Sequence, residues 1–118
     1  MGKKIMVVDD EPDTLELAKA ILEMNNFEAV VIDTAQKALD SLQTEKPDLV
    51  LLDMRMPQIS GPDFCKKIKE KGLKFKIVFF TASSNEDAAL LKESGAMGYI
   101  FKPFDNDELV KQINSYLK

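Results

Sequence analysis

An unbroken apolar run that ends on a carboxylate, Leu49-Val50-Leu51-Leu52-Asp53, most narrows the folds open to this chain. Four branched apolar residues without a polar break read as a strand buried on both faces, the pattern of a central parallel strand. Four further short apolar runs accompany it: Ile5-Met6-Val7-Val8, Ala29-Val30-Val31-Ile32, Ile77-Val78-Phe79-Phe80 and Tyr99-Ile100-Phe101. The segments between them have helical spacing. Ala35, Ala38, Leu39 and Leu42 share one helical face, as do Phe64, Cys65 and Ile68, and Leu109, Val110, Ile113 and Leu117. Pro12 suits a first helical turn, and Ser60 to Asp63, Ser84 to Asp87 and Asp105 to Glu108 have the capping-box form. Gly72 and Gly95 fall where helices should stop. Strand followed by helix, five times over, requires right-handed crossovers and a parallel sheet covered by helices on both faces.

With 118 residues, the chain suits one compact domain over 1–118. Its single cysteine, Cys65, has no internal partner for a disulfide, which fits a reducing cytosol and a cytoplasmic protein; the six methionines read as core filler. No apolar stretch approaches the ~20 residues that span a bilayer, and the basic start Met1-Gly2-Lys3-Lys4 precedes too short a run for a signal peptide. A net charge of −4 argues against nucleic acid as a direct partner. The absence of histidine removes imidazole bases, imidazole zinc ligands and histidine nucleophiles.

In an open doubly wound sheet, ligands bind beyond the carboxyl ends of the strands, where strand order reverses. The residues after the five runs are Asp9-Asp10, Asp33, Asp53, Thr81 and Lys102-Pro103. With strand order 2-1-3-4-5, the reversal lies between strands one and three. That order gathers Asp9, Asp10 and Asp53, with Thr81 and Lys102 on the following strands, and leaves Asp33 on the edge. Each member alone has an ordinary role. Acids are favoured before a helix, threonine caps turns, and lysine is commonly a solvated charge. Together they are harder to explain by folding, because each pair of carboxylates at ~4 Å costs about 4 kcal/mol at an effective dielectric of 20. A hard divalent cation offsets that repulsion, and Mg²⁺ (or Mn²⁺) needs only one or two carboxylates plus waters and a phosphoryl oxygen. Asp53 can then act as a nucleophile toward a phosphoryl group, with the Thr81 hydroxyl and the Lys102 ammonium neutralising its oxygens.

These residues resemble a response-regulator receiver domain of two-component signalling, particularly the stand-alone chemotaxis-type members. The stretches carrying the likeness are VVDDEP (7–12), LLDMRMPQISG (51–61), FFTAS (79–83) and GYIFKPF (98–104). The resemblance implies a flavodoxin-like (βα)5 fold with a five-stranded parallel sheet. It also implies that Asp9 and Asp10 hold the metal with the Arg55 backbone carbonyl, and that Asp53 is the phosphoacceptor. Phosphate would come from a sensor histidine kinase, a phosphotransfer protein or a small phosphodonor. Thr81 and Lys102 would bind the phosphoryl oxygens, and Lys102-Pro103 would be a cis peptide. Tyr99 would be the switch aromatic, turning inward as Thr81 is drawn to the phosphate. The output partner would meet the fourth helix, fifth strand and fifth helix of the pattern, and a phosphorylation-dependent homodimer is left open. Such a chain catalyses its own Mg²⁺-dependent phosphorylation and dephosphorylation without being a turnover enzyme. No membrane partner is expected. Arg55 and Ser83, two residues beyond Asp53 and Thr81, occupy positions that bias phosphate lifetime in the family, and Arg55 is expected to attract anionic donors.

Two rival readings lack a residue each. An aspartate-nucleophile phosphatase carries a second acid two residues on, where this chain has Arg55, which cannot donate a proton. A flavin carrier of the same topology needs a phosphate-cradling loop after the first strand, where Asp9-Asp10-Glu11 would repel phosphate without a metal.

Overall fold

The β-branched and leucine-rich runs form five strands: β1 (Lys4–Val8), β2 (Glu28–Ile32), β3 (Leu49–Asp53), β4 (Ile77–Thr81) and β5 (Gly98–Phe101). All pair in parallel, in the order β2-β1-β3-β4-β5, as the sequence leads one to expect. The computed structural model describes residues 2–54, 56, 59–81, 96–101 and 105–117, with Thr81 described by its backbone. Within them lie the helices α1 (Pro12–Met24), α2 (Ala35–Glu45), α3 (Gly61–Glu70) and the C-terminal α4 (Asn106–Leu117). The helix expected after Ser84, and the stop expected at Gly95, fall outside the described residues.

Strand alternation divides the interior into two cores. Met6, Val8, Val50, Leu52, Ile77 and Phe79 pack with α2 and α3 through Leu39, Leu42, Phe64 and Ile68. Ile5, Val7, Leu49, Leu51, Val78, Phe80 and Ile100 pack on the other face with α1 and α4 through Ala18, Leu22, Leu109 and Ile113. Every residue of β3 is buried, which is the physical content of its unbroken apolar run. The edge strand β2 is only partly covered.

The helix signals act as their chemistry requires. The Ser60 hydroxyl accepts the Asp63 N–H at 3.2 Å and the Asp105 carboxylate accepts the Glu108 N–H at 2.7 Å. Thr34 does the same for the Lys37 N–H at 3.2 Å. After α3, Gly72 takes φ +73°, and the Leu73 N–H returns to the Ile68 carbonyl at 3.1 Å, closing the helix end. At the far end of α4, Lys76 Nζ donates to the carbonyls of Tyr116 (3.3 Å) and Leu117 (3.4 Å), two acceptors the helix itself leaves open.

Candidate metal and phosphoacceptor site

The ladder places the acids. Val8 pairs with Leu52 across β1 and β3, so Asp9 and Asp53 each lie one residue past the last pair, on adjacent strands at the point where strand order reverses. One carboxylate oxygen from each of Asp9, Asp10 and Asp53 lies within 4.8 Å of the others. Asp9 is fully buried, Asp53 is 8% exposed and Asp10 faces solvent. Asp33, by contrast, ends the edge strand β2 and pairs at 3.2 Å with exposed Lys37 one helical turn on. The sheet therefore gathers three of the four acids and leaves the fourth outside.

Local backbone contacts fix the two buried members. The Asp9 N–H donates to the Ile32 carbonyl at 3.1 Å, and Asp9 Oδ1 accepts the Glu11 N–H at 2.9 Å, turning the chain from β1 into α1. Beyond Asp53, the Met54 N–H donates to the Phe80 carbonyl at 3.1 Å. The Gly61 N–H returns to the Met54 carbonyl at 2.9 Å, which seats the start of α3 beside Asp53. In the sequence Gly61 belongs to a helix cap and closes the stretch 51–61. A Cβ there would meet Phe79 Cε1 at 2.9 Å and Met54 Cα at 3.2 Å, so the position admits little beyond hydrogen.

At 4.8 Å and an effective dielectric of 20, each like-charged pair costs about 3 kcal/mol before solvent screens exposed Asp10. The donors are hard carboxylate oxygens, one of them exposed and open to a ligand that keeps part of its water shell. That set fits Mg²⁺ or Mn²⁺ and is poor for soft, thiolate-seeking metals.

Thr81 ends β4 one residue beyond Phe80, the strand partner of Asp53, and is itself paired with Phe101. Phe101 is the last residue before Lys102. Tyr99 is half-buried against the α2–α3 core. Arg55, Ser83, Lys102 and the Lys102-Pro103 peptide lie outside the described residues, as does the Thr81 side chain.

The sequence matches the response regulator receiver domain family over residues 5–114. It is 36% identical, across its whole length, to the alkaline phosphatase synthesis transcriptional regulatory protein PhoP of Bacillus subtilis, covering 50% of that protein. It is 37% identical to the DNA-binding response regulator MtrA of Mycolicibacterium smegmatis, covering 52% of it. The chain thus spans about half the length of these relatives. The fold superposes on chemotaxis protein CheY4 of Vibrio cholerae with a TM-score of 0.91 at 24% identity, covering 98% of this chain and 99% of that one. It superposes on the BeF3-activated N-terminal receiver domain of Klebsiella pneumoniae RstA with a TM-score of 0.88 at 31% identity, each chain covered to 98%. The expectation that nucleic acid is no partner has no support from these relatives. The net charge of −4 speaks for these 118 residues only, and a relative twice as long is named as DNA-binding. The family match over nearly the whole chain, with the strand order and the acid cluster, makes this chain a member of the response-regulator receiver domain family.

Proposed function

We propose that the chain is a phosphoacceptor switch in which Asp53 takes a phosphoryl group from a histidine kinase, a phosphotransfer protein or a small acyl phosphate. The convergence of Asp9, Asp10 and Asp53 within 4.8 Å at the β1–β3 switch point carries this reading. An Asp53 carboxylate oxygen attacks phosphorus in line, forming the O–P bond of an acyl phosphate as the bond to the donor's nitrogen or oxygen breaks. The leaving group departs with the electron pair. Asp9, Asp10, Asp53 and the Arg55 backbone carbonyl would hold Mg²⁺ or Mn²⁺, which supplies positive charge against the carboxylates and the phosphoryl oxygens. The Thr81 hydroxyl and the Lys102 ammonium donate to the remaining phosphoryl oxygens, one as a neutral and one as a charged hydrogen bond.

Phosphorylation adds roughly −1.5 to −2 charge beside the three carboxylates. Thr81 is drawn toward it, and Tyr99 turns into the space released. The adjacency supporting this coupling is the ladder itself, where Phe79 pairs with Tyr99 and Thr81 with Phe101. The altered surface around β5 then changes affinity for an output partner, for a second copy of the chain, or for a further domain. Where such a domain accompanies the receiver, DNA becomes a partner of that domain. The chain works in the cytoplasm and turns over no external substrate.

Intact-mass measurement after mixing with Mg²⁺ and an acyl-phosphate donor tests the proposal. The expected result is a gain of one phosphoryl in the wild type and none in Asp53→Asn. An equal gain in both would move the acceptor elsewhere.

A further inference from the structure

We propose that Phe101 is a positioning residue for Tyr99, its ring holding the tyrosine in the outward, half-buried position and so setting how much of the unphosphorylated protein already occupies the switched state. This inference rests on the proposed inward movement of Tyr99. β5 lies at the sheet edge, and its alternation places Tyr99 and Phe101 on the face shared with Phe79, with Gly98 and Ile100 on the other. The two rings are 4.8 Å apart between centroids and inclined at 57°, a favourable tilted arrangement. Phe101 nevertheless remains 44% exposed. Among the described residues, the ring that Phe101 meets is that of Tyr99.

The backbone of Phe101 is fixed by its pairing with Thr81, and that of Tyr99 by its pairing with Phe79. A rotation of the Tyr99 ring away from the edge therefore separates it from Phe101 without any compensating shift of the strand. Aromatic pairs contribute about 0.5–1.5 kcal/mol beyond area burial, so the contact biases the outward state by about two- to tenfold. Among the described residues, the other face of β5 offers no such hold. Gly98 carries no side chain, and the Tyr116 ring of α4 lies over it on the opposite side of the sheet.

The chain has no tryptophan and two tyrosines, Tyr99 and Tyr116, so in Tyr116→Phe all tyrosine emission comes from Tyr99. Quenching of that emission by acrylamide is read at rest and after Mg²⁺ with an acyl-phosphate donor, the phosphoryl gain being followed by mass. The expected result is strong quenching at rest and weaker quenching once phosphorylated. Adding Phe101→Leu, which keeps apolar bulk without a ring, should move the resting value toward the phosphorylated one, raising the inward-to-outward ratio about two- to tenfold. Phe101→Ala should do the same, and both shifts should persist with Asp53→Asn, since they need no phosphate. A side chain that merely adds stability would change the urea midpoint and leave the resting quenching in place. Mass gain and a Tyr99 response in Tyr116→Phe, with resting quenching unchanged by both Phe101 variants, would overturn the role of Phe101 alone. Absence of mass gain, or of any Tyr99 response, would overturn the switch reading and this inference with it.

Discussion

Asp9 does two things with one carboxylate. Its Oδ1 accepts the Glu11 N–H at 2.9 Å, turning the chain toward α1, while its carboxylate lies within 4.8 Å of two others. The two roles separate chemically, because an amide oxygen accepts that N–H as well as a carboxylate does. In divalent-free buffer, Asp9→Asn should raise stability by about 1–3 kcal/mol, from relief of repulsion in the buried pair with Asp53. Asp10→Asn should give less than about 1 kcal/mol, because Asp10 is exposed and screened. Urea midpoints in the presence of a chelator decide the matter, and a loss of stability in Asp9→Asn would mean its charge is held by stronger favourable partners. Gly61 is the steric counterpart. With Phe79 Cε1 and Met54 Cα 2.9 and 3.2 Å from where a Cβ would stand, Gly61→Ala should cost about 1–3 kcal/mol and shift the resonances of Met54 and Asp53.

Among the elements, those whose ends are set by local chemistry were legible and those set by the surrounding fold were not. Ser60 and Asp105 cap helices because their oxygens reach an N–H three residues on, which spacing alone reveals. Gly72 ends α3 because a residue without Cβ takes a positive φ freely. The end of α2 gives no such sign: Lys46 adopts φ 48° with its N–H on the Leu42 carbonyl at 2.9 Å, and two residues on the Asp48 N–H bonds the Lys4 carbonyl at 2.7 Å. Lys46→Gly should therefore stabilise the protein by about 0.5–1 kcal/mol, visible as a rise in the thermal midpoint. The convergence of Asp9, Asp10 and Asp53 followed from strand order, whereas the close approach at Gly61 and the tilt between the Tyr99 and Phe101 rings depend on packing that no spacing encodes. Lys4 joins three elements, with its ammonium 3.3 Å from Glu28 of β2 and 3.2 Å from Glu45 of α2. Hydrogen bonds to Glu45 and then Glu28 raise its pKa above 10.5. The folded value lies above the unfolded one, so the contribution is complete below about 10.5 and is lost as pH rises through the folded pKa. Urea midpoints of Lys4→Met should accordingly fall less steeply than those of the wild type above that pH.

For the molecule as a whole, the sheet is a two-sided partition whose cores are separately packed and whose carboxyl end carries the acids. Folding gathers like charges at that end, and a cation bound there would offset their repulsion. Linkage makes that offset measurable: at Mg²⁺ concentrations ten and a hundred times the dissociation constant, the wild type should gain about 1.4 and 2.7 kcal/mol. For a chain of this size each kcal/mol is worth about 4 °C in the thermal midpoint, so the shifts should be about 6 and 11 °C. Asp9→Asn and Asp53→Asn should show a much smaller rise at the same concentrations, because each removes an anionic ligand as well as a repelling charge. K⁺ at equal ionic strength separates site binding from general screening, which a monovalent salt reproduces. Should K⁺ raise the midpoint as far as Mg²⁺ does, or Asp33→Asn blunt the Mg²⁺ response as strongly as Asp9→Asn, the three converging carboxylates would not be the ion's site.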